Sequence, residues 1–227
     1  MPKQVVVPIV LIFTLLLLLL LPFFFTEVLA AALLKLRLEP HAAILIVAAM
    51  LLGGAVNIPV KRIPRKELVA VHPFAALGLA RFWPQLRWVR QETVIAINLG
   101  GCVIPGGLAL YEAIQLFRRD QSAVLAVGVA VLINIVVCYF LAKPEPQIGI
   151  RMRPIVPAVT AAASAWLLDQ AQAPAVAFIA GVIGPLVGAD LLHLKQFVKE
   201  TTGMASIGGA GSFDGIVLSA IFAVYLA

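Results

Sequence analysis

Hydrophobic positions in this chain come in long blocks rather than in alternation. Val5–Phe25, continuing to Leu34, is the first; His41–Val60, Thr93–Leu116, Ser122–Leu141, Pro154–Leu168, Ala173–Leu194 and Gly203–Ala227 follow. A block of about twenty apolar residues has the length of a helix that crosses a bilayer. A membrane β-barrel would show short segments of alternating polarity instead. The pattern predicts an all-α, polytopic integral membrane protein with about seven transmembrane helices. The fifth block is the shortest and carries Pro154 and Pro157 near its start. The first offers Ala30-Ala31-Ala32 as a cleavage site, but its apolar run exceeds that of a secretory signal (about 7–15 residues) and reads as a retained helix.

Two places break the blocks. In the last one, Gly208, Gly209 and Gly211 are poor helix formers and predict an interrupted final helix between Ile207 and Asp214. The other is the connection 61–92, the only long one in what otherwise reads as a single membrane domain, 1–227. It interleaves Phe74, Phe82, Trp83 and Trp88 with Arg81, Arg87 and Arg90, and Pro64, Pro73 and Pro84 interrupt it. Tryptophan among arginine suits a loop lying in the head-group layer of the bilayer.

Composition agrees with a membrane chain and adds an orientation. The 227 residues are 62% hydrophobic and 12% charged, against about 25% charged in soluble proteins. The net charge of +6 points to anionic lipid head groups at 61–92 rather than to nucleic acid. Of the 17 Lys and Arg, 13 fall on the side of the N-terminus and the 61–92 loop; four (Lys35, Arg37, Arg118 and Arg119) fall opposite. The asymmetry predicts a multi-pass protein of the cell (inner or plasma) membrane, N-terminus cytoplasmic and C-terminus external. Cys102 and Cys138 lie in apolar blocks without a CxxC spacing and read as core residues. No metal or cofactor motif occurs.

An acid inside a span is costly and therefore a functional candidate. Elimination sorts the 11 acids. Most lie in connections or at block ends; Glu27 and Glu112 lie toward the outer ends of the first and third spans, where water is near. Asp190 and Asp214 remain. Only 13 residues follow Asp214, about 20 Å of helix, so it stands within the membrane. On straight antiparallel helices the two acids would sit at different depths, roughly 7 Å and 16 Å from their helix ends. Unwinding at Gly208–Gly211 would bring them level. Asn57, Asn98 and His193 fall in the same half of the membrane and, with Gly208, Gly209, Gly211, Ser212 and Gly215, complete the candidate site. Asn98–Leu110 also lines up with Ser206–Leu218 as a faint parallel repeat, the signature of paired interrupted helices. Asn134 reads as an interhelical hydrogen-bonding residue, and His41 and His72 as solvated.

Two carboxylates that share one proton can activate water against a carbonyl. The same pair could carry a proton or cation, and two acids could also serve a non-catalytic scaffold by bonding neighbouring helices. The expected reading is an intramembrane diaspartyl hydrolase of membrane-embedded peptide, with Asp190 and Asp214 as dyad; the alternatives are an ion-coupled carrier and the scaffold.

The runs GADLLHL at 188–194 and SIGGAGSFDGI at 206–216, with NIP at 57–59 and NLGGCVIP at 98–105, resemble a prokaryotic membrane family known as domain of unknown function 1614. That resemblance implies no activity. The placing of Asp190 and Asp214 on the sixth and seventh spans also resembles presenilin and the signal peptide peptidases, and this second resemblance implies aspartyl proteolysis within the membrane. Gly211-Ser212-Phe213 stands where that group has Gly-x-Gly, and its later Pro-Ala-Leu motif has no counterpart between Asp214 and Ala227.

Overall fold

The computed structural model describes residues 26–71, 85–145, 149–200, 203–209 and 214–227. Helix dominates. After α1 (26–34) come α2 (Pro40–Gly53), α3 (Ile104–Arg119), α4 (Ala123–Leu141), α5 (Ile155–Leu168), α6 (Ala173–Ile183), α7 (Leu194–Glu200) and α8 (Ser219–Leu226). Three helical stretches are long and apolar enough to cross a membrane: Leu99–Arg119, Ala123–Leu141 and Gln170–Leu191. Pro40–Gly53, Ile155–Leu168 and Gly215–Leu226 are apolar but shorter. The first expected span lies mostly outside the described residues.

The sixth helix is the hub, packed against α3, α4, α5 and α8. Phe178, Val176 and Val182 on it are fully buried. Toward α4 and α5 the contact is made by small residues, Ala130, Ala158, Ala161, Ala165 and Ala177, which let backbones approach where lipid provides no hydrophobic drive between helices. Leu45, Leu52, Leu125, Phe140 and Leu167 face outward and are largely exposed, as a lipid-facing surface requires.

The expectation of an all-α chain is corrected by two sheets. Strands β1 (Asn57–Val71) and β2 (Gln85–Asn98) pair antiparallel from Asn57↔Asn98 to Val71↔Gln85. Most of the 61–92 segment is therefore paired strand rather than loop; residues 72–84, with Pro73, Phe74, Arg81, Phe82, Trp83 and Pro84, lie outside the described residues. β2 pairs on its other side, in parallel, with β5 (Gly203–Ile207), so the order is β1-β2-β5. A short ribbon of β3 (Lys143–Glu145) and β4 (Gly149–Arg151) lies between α4 and α5. Prolines obscured the hairpin. Pro64 stands in β1, an edge strand that tolerates a missing donor, and Pro59 stands at a register shift.

Strand also replaces helix at the head of two expected spans, Thr93–Asn98 in the third and Gly203–Ile207 in the seventh. Both sheets lie at the end of the bundle where α3 begins and α4 ends. Ala142, Ile150, Ala189 and Ala205 pack together there. The opposite end gathers the α1–α2, α3–α4 and α5–α6 connections, so the four basic residues counted on one side share that end.

Candidate functional site at the broken helices

Each strand that enters the bundle gives way to a helix through a wide π-helical opening. β2 ends at Asn98, and Leu99–Val103 form a π-turn before α3. β5 ends at Ile207, and Asp214–Leu218 form a second π-turn before α8. Both breaks fall within the two segments aligned as a repeat in the sequence, but the parallel pairing of β2 with β5 sets Ser206 beside Ala96 rather than Asn98, and the two π-turns do not occupy equivalent repeat positions. The sixth helix also widens, from Gly184 to Leu191, and Asp190 lies in that stretch. π-turns inside helices concentrate at functional sites.

Asn98 holds the first break. It is fully buried, and its side-chain oxygen accepts from the Gly101 N–H at 2.8 Å, capping the π-turn. Its amide donates to the Gly54 carbonyl at 2.8 Å and to Asn57 Oδ1 at 3.0 Å. Asn57 Oδ1 also accepts from the Ser206 hydroxyl. One polar cluster thus joins the end of α2 and all three strands. Backbones meet closely here, since a β-carbon on Gly100 would overlap the Met50 carbonyl oxygen and the Gly54 nitrogen.

Asp190 holds the second break. It is 2% exposed, and its Oδ2 accepts from the Gly208 N–H at 2.7 Å. Gly208 has φ +68, a left-handed conformation that glycine adopts without steric cost. A β-carbon there would come within 2.8 Å of the Cys102 β-carbon and the Gly101 carbonyl carbon. The turn after β5 is therefore pinned between the Asp190 carboxylate and the start of the third span. Gly209 sits over Ser206, its N–H donating to the Ser206 carbonyl at 3.3 Å.

The π-turns containing Asp190 and Asp214 pack against each other. Between them lies a closed cleft lined by Pro185, Ala189, Asp190, Gly215, Ile216, Ile150 and Met152, with no room for a water. The backbone of Asp214 opens the last helix. Its side chain lies outside the described residues, as do Gly211 and Ser212.

The site expected from the sequence is thus gathered in part. Asn57, Asn98, Asp190, Gly208 and Gly209 form one connected polar centre, and Gly215 lines its cleft. His193 is engaged differently: its Nδ1 lies 3.2 Å and 3.1 Å from the Gly188 and Ala189 carbonyls, and its ring stacks on Tyr139. Ser206 belongs to the centre and was legible only as the first residue of the repeat. Asn134 donates to the Ala180 carbonyl at 2.8 Å, the interhelical role read for it. Cys138 is buried, while Cys102 is half-buried beside the Gly208 turn. Glu112, assigned to a watery helix end, is buried at 6% exposure. Among the described residues no cluster of three His, Cys, Asp or Glu could hold a metal ion.

Three helices long and apolar enough to cross a membrane, with a polar centre where strands give way to helices, mark a helical membrane protein. The chain belongs to the family described as protein of unknown function DUF1614, which matches residues 51–226. No curated protein and no solved structure matches it, so the likeness to presenilin has no support from a shared structure.

Proposed function

We propose that the protein is an intramembrane diaspartyl hydrolase of membrane-embedded peptide, with Asp190 and Asp214 as its dyad. The observation that carries this reading is the hydrogen bond from Gly208 to Asp190. Straight helices would hold the two acids at different depths. The bond ties the glycine turn to the level of Asp190, and the segment opening at Asp214 packs on the one that holds Asp190. One carboxylate, ionised, takes a proton from water as it attacks the peptide carbonyl; the other, protonated, donates to the carbonyl oxygen. Proton transfer to the leaving amine then breaks the C–N bond. The closed cleft between the segments must open to admit water and peptide.

The test is cleavage of a reporter transmembrane peptide by the purified chain in lipid. Asp190→Asn and Asp214→Asn are each expected to abolish cleavage with the protein still folded, and the parent to show a bell-shaped pH–rate profile. Paired interrupted helices favour a second reading, an ion-coupled carrier. That reading predicts no cleavage by the parent and loss of pH- or ion-dependent uptake into liposomes in the same two variants. Cleavage that survives both substitutions would exclude the dyad.

A further inference from the structure

At the end of the bundle opposite the sheets a second polar site lies apart from the broken helices. Glu112, Gln115 and Arg119 project from one face of α3, at the i, i+3, i+7 spacing of helical neighbours. Together with Lys35 and Arg37 from the α1–α2 connection and Gln172 from the α5–α6 connection they line a cavity of about 60 Å³. That is room for a few waters or one ammonium group.

The charges in this cavity are arranged unequally. Glu112 is 6% exposed, and among the described residues its carboxylate has no hydrogen-bond donor and no cation within 4.0 Å. Lys35 is committed elsewhere: its ammonium donates to the Val224 and Tyr225 carbonyls at 3.3 and 2.9 Å and holds the end of α8 against the rim. Arg37 and Arg119 are exposed and act on Glu112 only at longer range. Arg37 keeps a φ of 61, uncommon for a residue with a β-carbon.

A carboxylate walled by protein and opening onto this small cavity is best satisfied by a donor delivered into it. A simple anion would be drawn to the two arginines but repelled at the base by Glu112. A simple cation would meet the reverse. Both ends are satisfied by a ligand that carries a primary ammonium joined through a short linker to an anionic group. We propose that this cavity binds such a zwitterion, its ammonium donating to Glu112 and its anionic group held by Arg37 and Arg119. Phosphatidylethanolamine head groups and free amino-acid-like solutes share this chemistry.

The experiment titrates the purified full chain, in phosphatidylcholine nanodiscs, with O-phosphoethanolamine by calorimetry. Saturable binding is expected. Phosphocholine, whose quaternary ammonium has no N–H, and inorganic phosphate, which has no cation, are expected to bind at least roughly ten-fold more weakly. Glu112→Gln should lower affinity by a similar factor. Should that variant fail to fold, Arg37→Ala and Arg119→Ala, at exposed positions, carry the same expectation. Replacing part of the phosphatidylcholine by phosphatidylethanolamine separates the two sources: suppressed titration identifies the lipid head group as occupant, and unchanged titration identifies the free solute. The proposal is overturned by absent saturable binding of O-phosphoethanolamine, by phosphate binding equally well, or by undiminished affinity in folded Glu112→Gln.

Discussion

Asn98 shows how much one side chain can do where helix and strand meet. It satisfies a carbonyl at the end of α2, an N–H of the third span and the Asn57 side chain. Asn98→Ala strips partners from the buried Gly101 N–H and the half-buried Gly54 carbonyl, and the orphaned buried N–H costs about 1–3 kcal/mol. Thermal unfolding in detergent should show a loss of that order, and an unchanged midpoint would mean that other donors take over. Gly208→Ala imposes a left-handed φ on a residue with a β-carbon, about 1–2 kcal/mol, and adds overlap with Cys102 and Gly101. It is expected to loosen the hold of Asp190 on the turn, read as faster amide exchange at Gly208. At the far end, Asp120 accepts from the Ser122 N–H and hydroxyl at 2.9 and 2.6 Å, and these bonds, the hydroxyl first, hold its carboxyl below the usual aspartate range. The stabilisation is therefore present above the unfolded pKa and is lost as pH falls through the folded one. Ser122→Ala should move the Asp120 titration upward, which carboxyl-carbon NMR would follow. Asp190 was legible in the sequence because an acid inside a span has few innocent explanations. Glu112 was not, because its distance from a helix end says nothing about which neighbours cover it.

At the scale of elements, α4 crosses the widened part of the sixth helix at close range. A β-carbon on Gly188 would lie 2.9 Å from that of Cys138 and overlap the Ile135 carbonyl oxygen. Gly188→Val should force the helices apart next to Asp190 and cost about 1–3 kcal/mol, visible as a lowered melting temperature. The sheet makes a contrasting prediction. β2 is central, paired on both sides, so Ile95→Pro removes a ladder donor and should cost about 1–3 kcal/mol for the acceptor it orphans, whereas Pro64 in the edge strand β1 is tolerated natively. Loss of β-structure by circular dichroism would report it. Helices were readable from block length alone. Strands were not, because Thr93–Asn98 and Gly203–Ile207 are as apolar as the helices they precede, and only their mutual pairing makes extended backbone affordable inside a membrane protein.

For the whole molecule, alternating helix directions place the sheets, the broken helices and most of the described basic residues at one end, and Lys35, Arg37, Arg118 and Arg119 at the other. A tag at the N-terminus and one in 61–92 are expected to be cytoplasmic, and one after Ala227 external. Protease protection in inverted and right-side-out vesicles measures this; a cytoplasmic C-terminal tag would require an even number of crossings. By itself the sequence determined that the chain carries apolar helices long enough to cross a membrane and that Asp190 stands inside one of them, because both follow from the cost of putting polar groups into hydrocarbon. Tertiary structure alone decided that two spans begin as paired strands, that Asp190 grips Gly208, and that Glu112 is buried. Those outcomes depend on hydrogen bonds between segments far apart in the chain, and no local pattern of residues records which distant backbone will arrive to complete them.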